Sequence, residues 1–472
     1  MKKWAGNKKI RMVLIVIFWL VCWQFLALYL NSSILLAGPL EVFADLQNNI
    51  VTIHFWKTVC NSFLHILSGF FAAFVVASFL GIVAAKYSFL EEFFAPLMQF
   101  IKAVPVASFV VLLLIWAGSE KLSVFVTFLM VLPIMFQNVL GGIKNTDKEL
   151  LEMAKVFGMP FANKIRYIYI PSLMPFLLSG CKAALGMSWK AGVAAEVIGT
   201  PDFSIGERIY MSKIYLNTAG LFSWTFVVIV LSILFEKAFL FLLKKAAVAG
   251  KRPVRLKRRN CDEDRKWRKD ENIEKGLQGK ETQDICIEKI YKNYGEQQVY
   301  SDFTIQFLEG GIYCLMARSG GGKTTLFRML LGLEECQKGR IQVPKRHGAA
   351  VFQEDRLCLE EDALTNVSMV CNKEIPDETI QNILAEVLPK EELEKKVGEF
   401  SGGMKRRVAI VRAFLSDAGW LIMDEPFTGL DEKTKERMIR FILKYRKGRT
   451  LLLATHQESD AEALGAKQII LR

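Results

Sequence analysis

Between Met12 and Leu30 the chain is apolar almost without interruption, with Gln24 the single strongly polar side chain. As a helix such a run crosses the ~30 Å hydrocarbon core of a bilayer, and no soluble core accommodates many of its kind. It is too long for the apolar stretch of a cleaved leader and no small-x-small site closes it, so it reads as a first membrane span despite its basic flank. Comparable runs follow at Val59–Ala85, Val104–Ala117, Leu122–Gly142, Pro175–Ile198 and Leu221–Leu243. The third is short, and Phe93–Lys102 is expected to add a turn or more to it. The pattern predicts six spans, with an error of one.

Charge sets the orientation. Lys144, Lys148, Lys155, Lys164 and Arg166 fill the segment between the fourth and fifth runs, whereas the segments after the first and third carry Lys57 and Lys121. Positive residues gather on the cytoplasmic side, which places both termini and the fourth-to-fifth loop there, in a multi-pass protein of the plasma membrane. The net charge of +13 lies largely at the N-terminus and between Lys244 and Lys280, flanking apolar spans. Its placement argues against nucleic-acid binding and for contact with lipid headgroups. The nine cysteines form no C-x-x-C pair and no metal-ligand spacing with the four histidines; several lie in the second half, as in a reducing compartment.

Residues 244–283 are too charged and too poor in apolar side chains to bury a core, and read as a tether. From Asp284 onward short β-like runs alternate with helical ones, as in an α/β domain. The expected architecture is therefore multi-domain: an all-α six-span domain over 1–243, a charged linker over 244–283, and an α/β domain over 284–472.

The α/β assignment becomes chemical at Ala317, Arg318, Ser319, Gly320, Gly321, Gly322, Lys323, Thr324 and Thr325, which follow a strand-like run and precede a helical one. Glycines let backbone N–H groups turn onto phosphate oxygens, and the helix N-terminus adds positive potential. Lys323 would reach the terminal phosphates and Thr324 would ligate magnesium. A second apolar strand, Trp420 to Met423, ends in two carboxylates. Asp424 suits a magnesium partner, and Glu425 a base that orients or deprotonates water. Between these motifs lies Phe400-Ser401-Gly402-Gly403-Met404, ahead of a basic helical run.

With these three motifs in this order, the second half resembles the ATP-binding cassette (ABC) family, although Ala317 stands where that family has a glycine and Phe400 and Met404 depart from the ends of its signature. The resemblance implies a P-loop NTPase fold, with ATP and Mg2+ as cofactors and Ser401, Gly402 and Gly403 contacting nucleotide. It also implies a magnesium-sensing role for Gln353, a γ-phosphate contact for His456, and a loop through Asp431 that links two ATP sites. Tyr294 lies where the family stacks an aromatic on adenine; a core tyrosine is the ordinary alternative, and Tyr291 and Tyr300 are close by.

In the first half, Glu152, Ala154, Gly158 and Ile168-Tyr-Ile-Pro171 match the spacing of the loop by which binding-protein-dependent importer permeases dock onto their cassettes. Gly158 is expected to free a turn between two short helices, and Pro171 to end the second before the next span. The coupling segment then covers about 146–171. The run Trp189-Lys190 to Glu196 looks like permeases for nitrate, sulfonates, taurine or thiamine precursors. Ionisable residues within a span line a cavity or pair with one another; a place at the outer membrane edge is the alternative for Glu196. Together these resemblances imply an ATP-driven importer of a small solute. It would work as a homodimer, because one chain carries one phosphate loop and one signature, and it would be fed by an extracytoplasmic binding protein. An ATPase driving a signalling or envelope process without transport is the competing class.

Overall fold

The computed structural model describes residues 8–249, 284–318, 320–371 and 375–471; most of the 244–283 tether, and Ser319 of the phosphate loop, lie outside them. The chain divides into two units, Met1–Thr146 with Pro171–Gly250, and Asp147–Ile170 with Lys251–Arg472.

The first unit is helical. Its elements before the excursion are α1 (Lys8–Leu30), α2 (Pro39–Ile50), α3 (Ile53–Lys86), α4 (Ser88–Ala103), α5 (Val106–Ala117) and α6 (Leu122–Lys144). The chain passes through α7 (Lys148–Val156), α8 (Phe161–Lys164) and a π turn (Ile165–Tyr169). It returns as α9 (Ile170–Gly199), α10 (Ile205–Ile214) and α11 (Thr218–Ala249). Among the described residues five helices are long and apolar enough to cross a membrane, and six if α4 and α5 count as one span bent by 99°. That bend corrects the third expected run. The helix starts at Val106 rather than Val104, because Pro105 lacks a backbone donor and holds Val104 extended at φ −72°, ψ 129°. Helix α11 also continues to Ala249, and its candidate span to Ala246, beyond the expected boundary at Leu243.

The unit is organised by α3 against α6. The buried face of α3 is rich in small residues, Ser62, Gly69, Ala73, Ala77, Gly81 and Ala84, at helical spacing. Lipid chains are as apolar as leucine, so spans associate through close packing of such small side chains. A Cβ on Gly69 would fall 2.5 Å from the Val124 carbonyl oxygen of α6. Polar staples close the far end: Ser62 Oγ donates to Glu196 Oε2 at 2.8 Å, and the same carboxylate oxygen accepts from Gly206 N at 3.2 Å. Ser62 Oγ also accepts from Ile205 N at 2.8 Å. Glu196 thus joins α9 to α3 and to the first turn of α10, where a carboxylate meets unsatisfied N–H groups.

The second unit holds two sheets. An antiparallel one has the order β2-β1-β4, with β1 Ile285–Tyr294, β2 Gln297–Phe307 and β4 Lys338–Gln342. The parallel one has the order β5-β6-β7-β3-β8, with β3 Ile312–Met316, β5 Gly348–Val351, β6 Trp420–Asp424, β7 Thr450–Ala454 and β8 Lys467–Ile470. Strands β6 and β7 are buried along their whole length, as parallel strands covered on both faces must be. Helix α12 (Lys323–Leu330) follows β3, and α13 (Ala363–Ser368) and α14 (Asp377–Val387) follow β5. Next come α15 (Gly402–Leu415), α16 (Glu432–Tyr445) and α17 (Glu458–Ala463). Ser401 caps α15 and Asp431 caps α16 through side-chain oxygens.

Candidate functional site

In the parallel sheet β7 lies between β3 and β6, and Leu315 and Asp424 both pair with Ala454. The carboxyl ends of three strands therefore stop at one level, the place where open α/β sheets present their loops to ligands. The phosphate loop leaves β3 there, the carboxylates end β6, and His456 lies two residues past β7.

A cavity of about 330 Å³ at this edge is lined by Tyr294, Arg318, Gly320, Gly321, Gly322, Lys323, Thr324, Thr325, Gln353, Asp424, Glu425 and His456. It brings Arg318 and Gly320 to Thr325 of the expected phosphate loop together with residues from four other segments, while Ala317 is not among its lining and Ser319 lies outside the described residues. Gly322 takes φ +82° at the start of α12, and its carbonyl accepts from Tyr300 Oη at 2.9 Å. Tyr300 is thus a buried brace of the loop, while Tyr294 is half-exposed at the cavity. Lys323 Nζ donates to the Ala317 carbonyl at 2.7 Å, and Thr324 Oγ1 donates to Asp424 Oδ2 at 2.9 Å. Burial raises the Asp424 pKa above the ordinary value, and the Thr324 hydroxyl partly opposes that rise.

Glu425 adopts φ +48°, a left-handed backbone that costs a residue with a Cβ about 1–2 kcal/mol. The kink turns its carboxylate out of the strand line toward His456, whose Nε2 lies 2.7 Å from Glu425 Oε1. Strain of this kind gathers at functional sites.

Ser401, Gly402 and Gly403 are elsewhere. With Thr428, Asp431 and Arg407 they line a separate cavity of about 460 Å³ that includes no residue of the phosphate loop. The sequence reading has the two sets contact nucleotide from different chains, and in a single cassette they line different cavities. Asp431 accepts from Thr434 Oγ1 at 2.7 Å and Thr434 N at 3.0 Å, bonds that lower its pKa.

The segment after Gln353 is held by arginines that the motifs did not reveal. Arg406 donates to the Phe352 and Gln353 carbonyls, each at 2.6 Å. Arg412 donates to the Asp355 and Arg356 carbonyls at 3.0 and 2.7 Å. Both arginines sit on α15, the helix that Ser401 begins, so the signature and the Gln353 segment share one brace. Arg412 is fully buried, which pushes its pKa down to about 10.

Helix α7 and its surroundings complete the second unit. Met153, Ala154, Val156, Phe157 and Ile168 join its hydrophobic core. Asp147 caps α7, accepting from Glu149 N at 2.8 Å. Glu152 meets Arg328 of α12 through two bonds of 2.8 and 3.1 Å, and Arg356 at 2.8 Å. The Arg328 bond is the largest of the influences holding its carboxyl below the usual carboxylate range. Lys155 Nζ and Asn163 Nδ2 add bonds to the carbonyls of Gly332 and Met369. Gly158 sits at φ +59° and turns the chain between α7 and α8.

Pro171 does not end a helix, contrary to expectation: it is the second residue of α9. The five-residue π turn before it absorbs the disruption, with Ile170 N reaching back to Ile165 O. A proline leaves the carbonyl four residues earlier without its usual donor. That carbonyl, of Tyr167, accepts instead from Cys358 Sγ at 3.6 Å.

Of the residues singled out in the fifth span, Trp189 and Glu196 are buried in helix packing, and Lys190 is on the opposite, exposed face of α9.

Comparison with known proteins agrees with this organisation. Residues 77–246 match the family described as binding-protein-dependent transport system inner membrane component, and residues 300–428 match the ABC transporter family. The aliphatic sulfonates import ATP-binding protein SsuB 1 of Pseudomonas fluorescens is 34% identical over 196 residues, spanning 41% of this chain and 75% of that protein. SsuB 3 of Rhodococcus jostii, of the same description, is 32% identical, over 40% of this chain and 70% of its own length. The spermidine/putrescine import ATP-binding protein PotA of Haemophilus influenzae is 31% identical over 40% of this chain and 55% of that protein. One match is to an inner-membrane permease and the other, further along the chain, to a cassette, and the chain belongs to the ABC transporter family as an importer that joins permease and ATPase domains in one polypeptide.

Proposed function

We propose that the chain imports a small solute, with small organic anions such as aliphatic sulfonates the leading class and nitrate or a thiamine precursor also in range. ATP hydrolysis in a homodimer with cytoplasmic cassettes would drive the import, and an extracytoplasmic binding protein would deliver the solute. The observation that carries the ATPase part is the convergence of Lys323, Thr324, Gln353, Asp424, Glu425 and His456 on one cavity. ATP phosphates fit against the loop of Gly320 to Gly322 and the start of α12. Lys323 exchanges its carbonyl partner for a phosphate oxygen, Glu425 orients the attacking water, and His456 holds Glu425 and meets the γ-phosphate. Tyr294 offers its ring to adenine.

Magnesium suits the same cavity, because Asp424 is a buried carboxylate beside the Thr324 hydroxyl and a divalent cation offsets the cost of ionising it. Thr324, Asp424 and Gln353 would hold it, and it would neutralise charge on the phosphates.

The separate placement of Ser401 to Gly403 favours a homodimer, in which one chain's signature closes over the other's phosphate loop. Closure would pull on the Gln353 segment through Arg406 and Arg412, and on α7 through Arg356 and Arg328. The identity to sulfonate-import relatives favours an anion, and the basic loops favour cytoplasmic cassettes and termini.

A radiolabelled aliphatic sulfonate is the probe. Cells expressing the chain with its binding protein should accumulate it, and cells carrying Lys323→Ala should not. Accumulation of spermidine in its place would overturn the anion assignment. ATP turnover without uptake of any of these solutes would favour a signalling or envelope ATPase.

A further inference from the structure

The two faces of α9 differ in kind. One, through Gly180, Cys181, Ala184, Leu185, Ser188 and Trp189, is buried among the other helices of its unit. The other carries Ser179, Lys182, Ala183, Gly186, Met187 and Lys190, which together line an open groove of about 480 Å³. Lys182 and Lys190 are exposed, and among the described residues neither ammonium has a hydrogen-bond or ion-pair partner.

Depth makes this costly in lipid. Helix α9 has 30 residues, about 45 Å at 1.5 Å per residue. Lys182 is 12 residues from its start at Ile170 (182 − 170) and Lys190 is 9 from its end at Gly199 (199 − 190). Both therefore fall within the ~20 residues that a bilayer core spans. An ammonium at that depth is expensive unless it faces water or a counter-charge. Many exposed side chains elsewhere suit lipid, as Val75, Val76, Phe79 and Ile82 do on α3 and Ile229, Val230, Ile233 and Leu234 on α11, where Glu236 and an exposed Lys237 follow toward the helix's C-terminal end. The α9 groove is small and cationic where those are bulky and apolar.

We propose that this face of α9 lines the translocation pathway and that Lys182 and Lys190, eight residues and about 12 Å apart, form a two-step relay for an anionic group of the solute. The inference rests on the importer reading and deepens it, since it names the residues that select charge. In a two-fold dimer four ammonium groups would line one pathway. The small side chains between them leave room for a solute, and the spacing lets an anion pass from one lysine to the next without leaving positive potential. Glu196, fixed by Ser62 and Gly206, takes no part in the passage.

The test uses the full chain in membrane vesicles with Ala183→Cys placed between the lysines, and Ser179→Cys as a second probe on the same face. Modification rates are measured with an anionic sulfonatoethyl methanethiosulfonate and a cationic trimethylammonioethyl methanethiosulfonate, and the unsubstituted chain gives the background of its own cysteines. Both probes should react above background, and the anionic reagent's advantage should fall by about tenfold or more when Lys182→Gln and Lys190→Gln are added. No reaction above background at either position would mean that lipid covers the face, and an unchanged reagent ratio would mean that the lysines do not set its potential; each outcome overturns the proposal. The assay needs no nucleotide, binding protein or solute, so its failure leaves the importer reading standing. Conversely, retained reagent preference in a chain without ATP-driven uptake would sink the importer reading alone.

Discussion

Arg328 stands five residues beyond Lys323 on α12 and holds both carboxylate oxygens of Glu152, at 2.8 and 3.1 Å. One helix thus begins with the lysine aimed at phosphate and, about one and a half turns later, carries the cation that grips α7. A small tilt of α12 on nucleotide binding must move Glu152 or break the pair. Arg356, on the segment that follows Gln353, holds the same carboxylate at 2.8 Å, so two nucleotide-facing segments converge on one side chain.

Replacing Glu152 with Ala should therefore lower solute moved per ATP hydrolysed by about tenfold while leaving ATP turnover within about twofold, since the lost charge-assisted bonds are worth about 1.5–3 kcal/mol each. Paired uptake and phosphate-release measurements check this; unchanged stoichiometry would remove Glu152 from coupling. The pair also predicts a pH window. A carboxyl with a depressed folded-state pKa contributes fully above its ordinary value of 4.5, and loses the contribution only as pH falls through the lower folded value. Coupling should hold at pH 5 and fail only in stronger acid, whereas the Glu152→Gln variant should show no such dependence.

Glu425→Gln should reduce ATP turnover by about a hundredfold or more while ATP binding persists, since removal of a general base costs 10²–10⁴. Gln keeps the shape and the strained φ of +48°, so thermal stability should change little. Steady-state hydrolysis near the parent rate would assign the base to another residue.

Arg412→Met should lower the stability of the second unit by about 2–4 kcal/mol. It strips two bonds from the Asp355 and Arg356 carbonyls in a fully buried setting, and lost charge-assisted bonds and stranded acceptors carry that cost. The measurement is a melting curve of the detergent-solubilised chain without nucleotide. A melting temperature equal to that of the parent would show that the segment after Gln353 is held without this brace.

Chains carrying Lys323→Ala and chains carrying Ser401→Arg should each fail to occlude ATP after rapid gel filtration, yet a mixture should retain it. In the mixed dimer both lesions fall on one shared site and the other site is intact. The motive is that Lys323 and Ser401 line different cavities of one cassette. A mixture as empty as its parents would mean that sites are not shared between chains.

How much of this could be read beforehand depended on range. The phosphate loop and the two carboxylates at the end of β6 are set by neighbours within a few residues, and such local constraints are legible in a sequence. The partners of Glu152 lie 176 and 204 residues away, and no spacing rule reaches that far. Pro171 was misread for a different reason. Proline ordinarily ends a helix, and the π turn that lets α9 run through it shows no periodicity in the sequence. The expected run Val104–Ala117 reads straight through Pro105, and the 99° bend between α4 and α5 depends on packing.

Ala317, which stands in place of a glycine, has a consequence for which substitutions this loop tolerates. A Cβ on Gly321 would lie 2.7 Å from the Ala317 Cβ and 2.9 Å from the Arg318 carbonyl oxygen. The methyl at 317 already fills part of the space that a side chain at 321 would need, so the two positions share one vacancy. Variation at 321 is closed while 317 keeps its methyl. Glycine at 317 would remove only the nearer of the two obstacles and leave the Arg318 carbonyl oxygen at 2.9 Å, so position 321 stays reserved for glycine whichever of the two residues stands at 317.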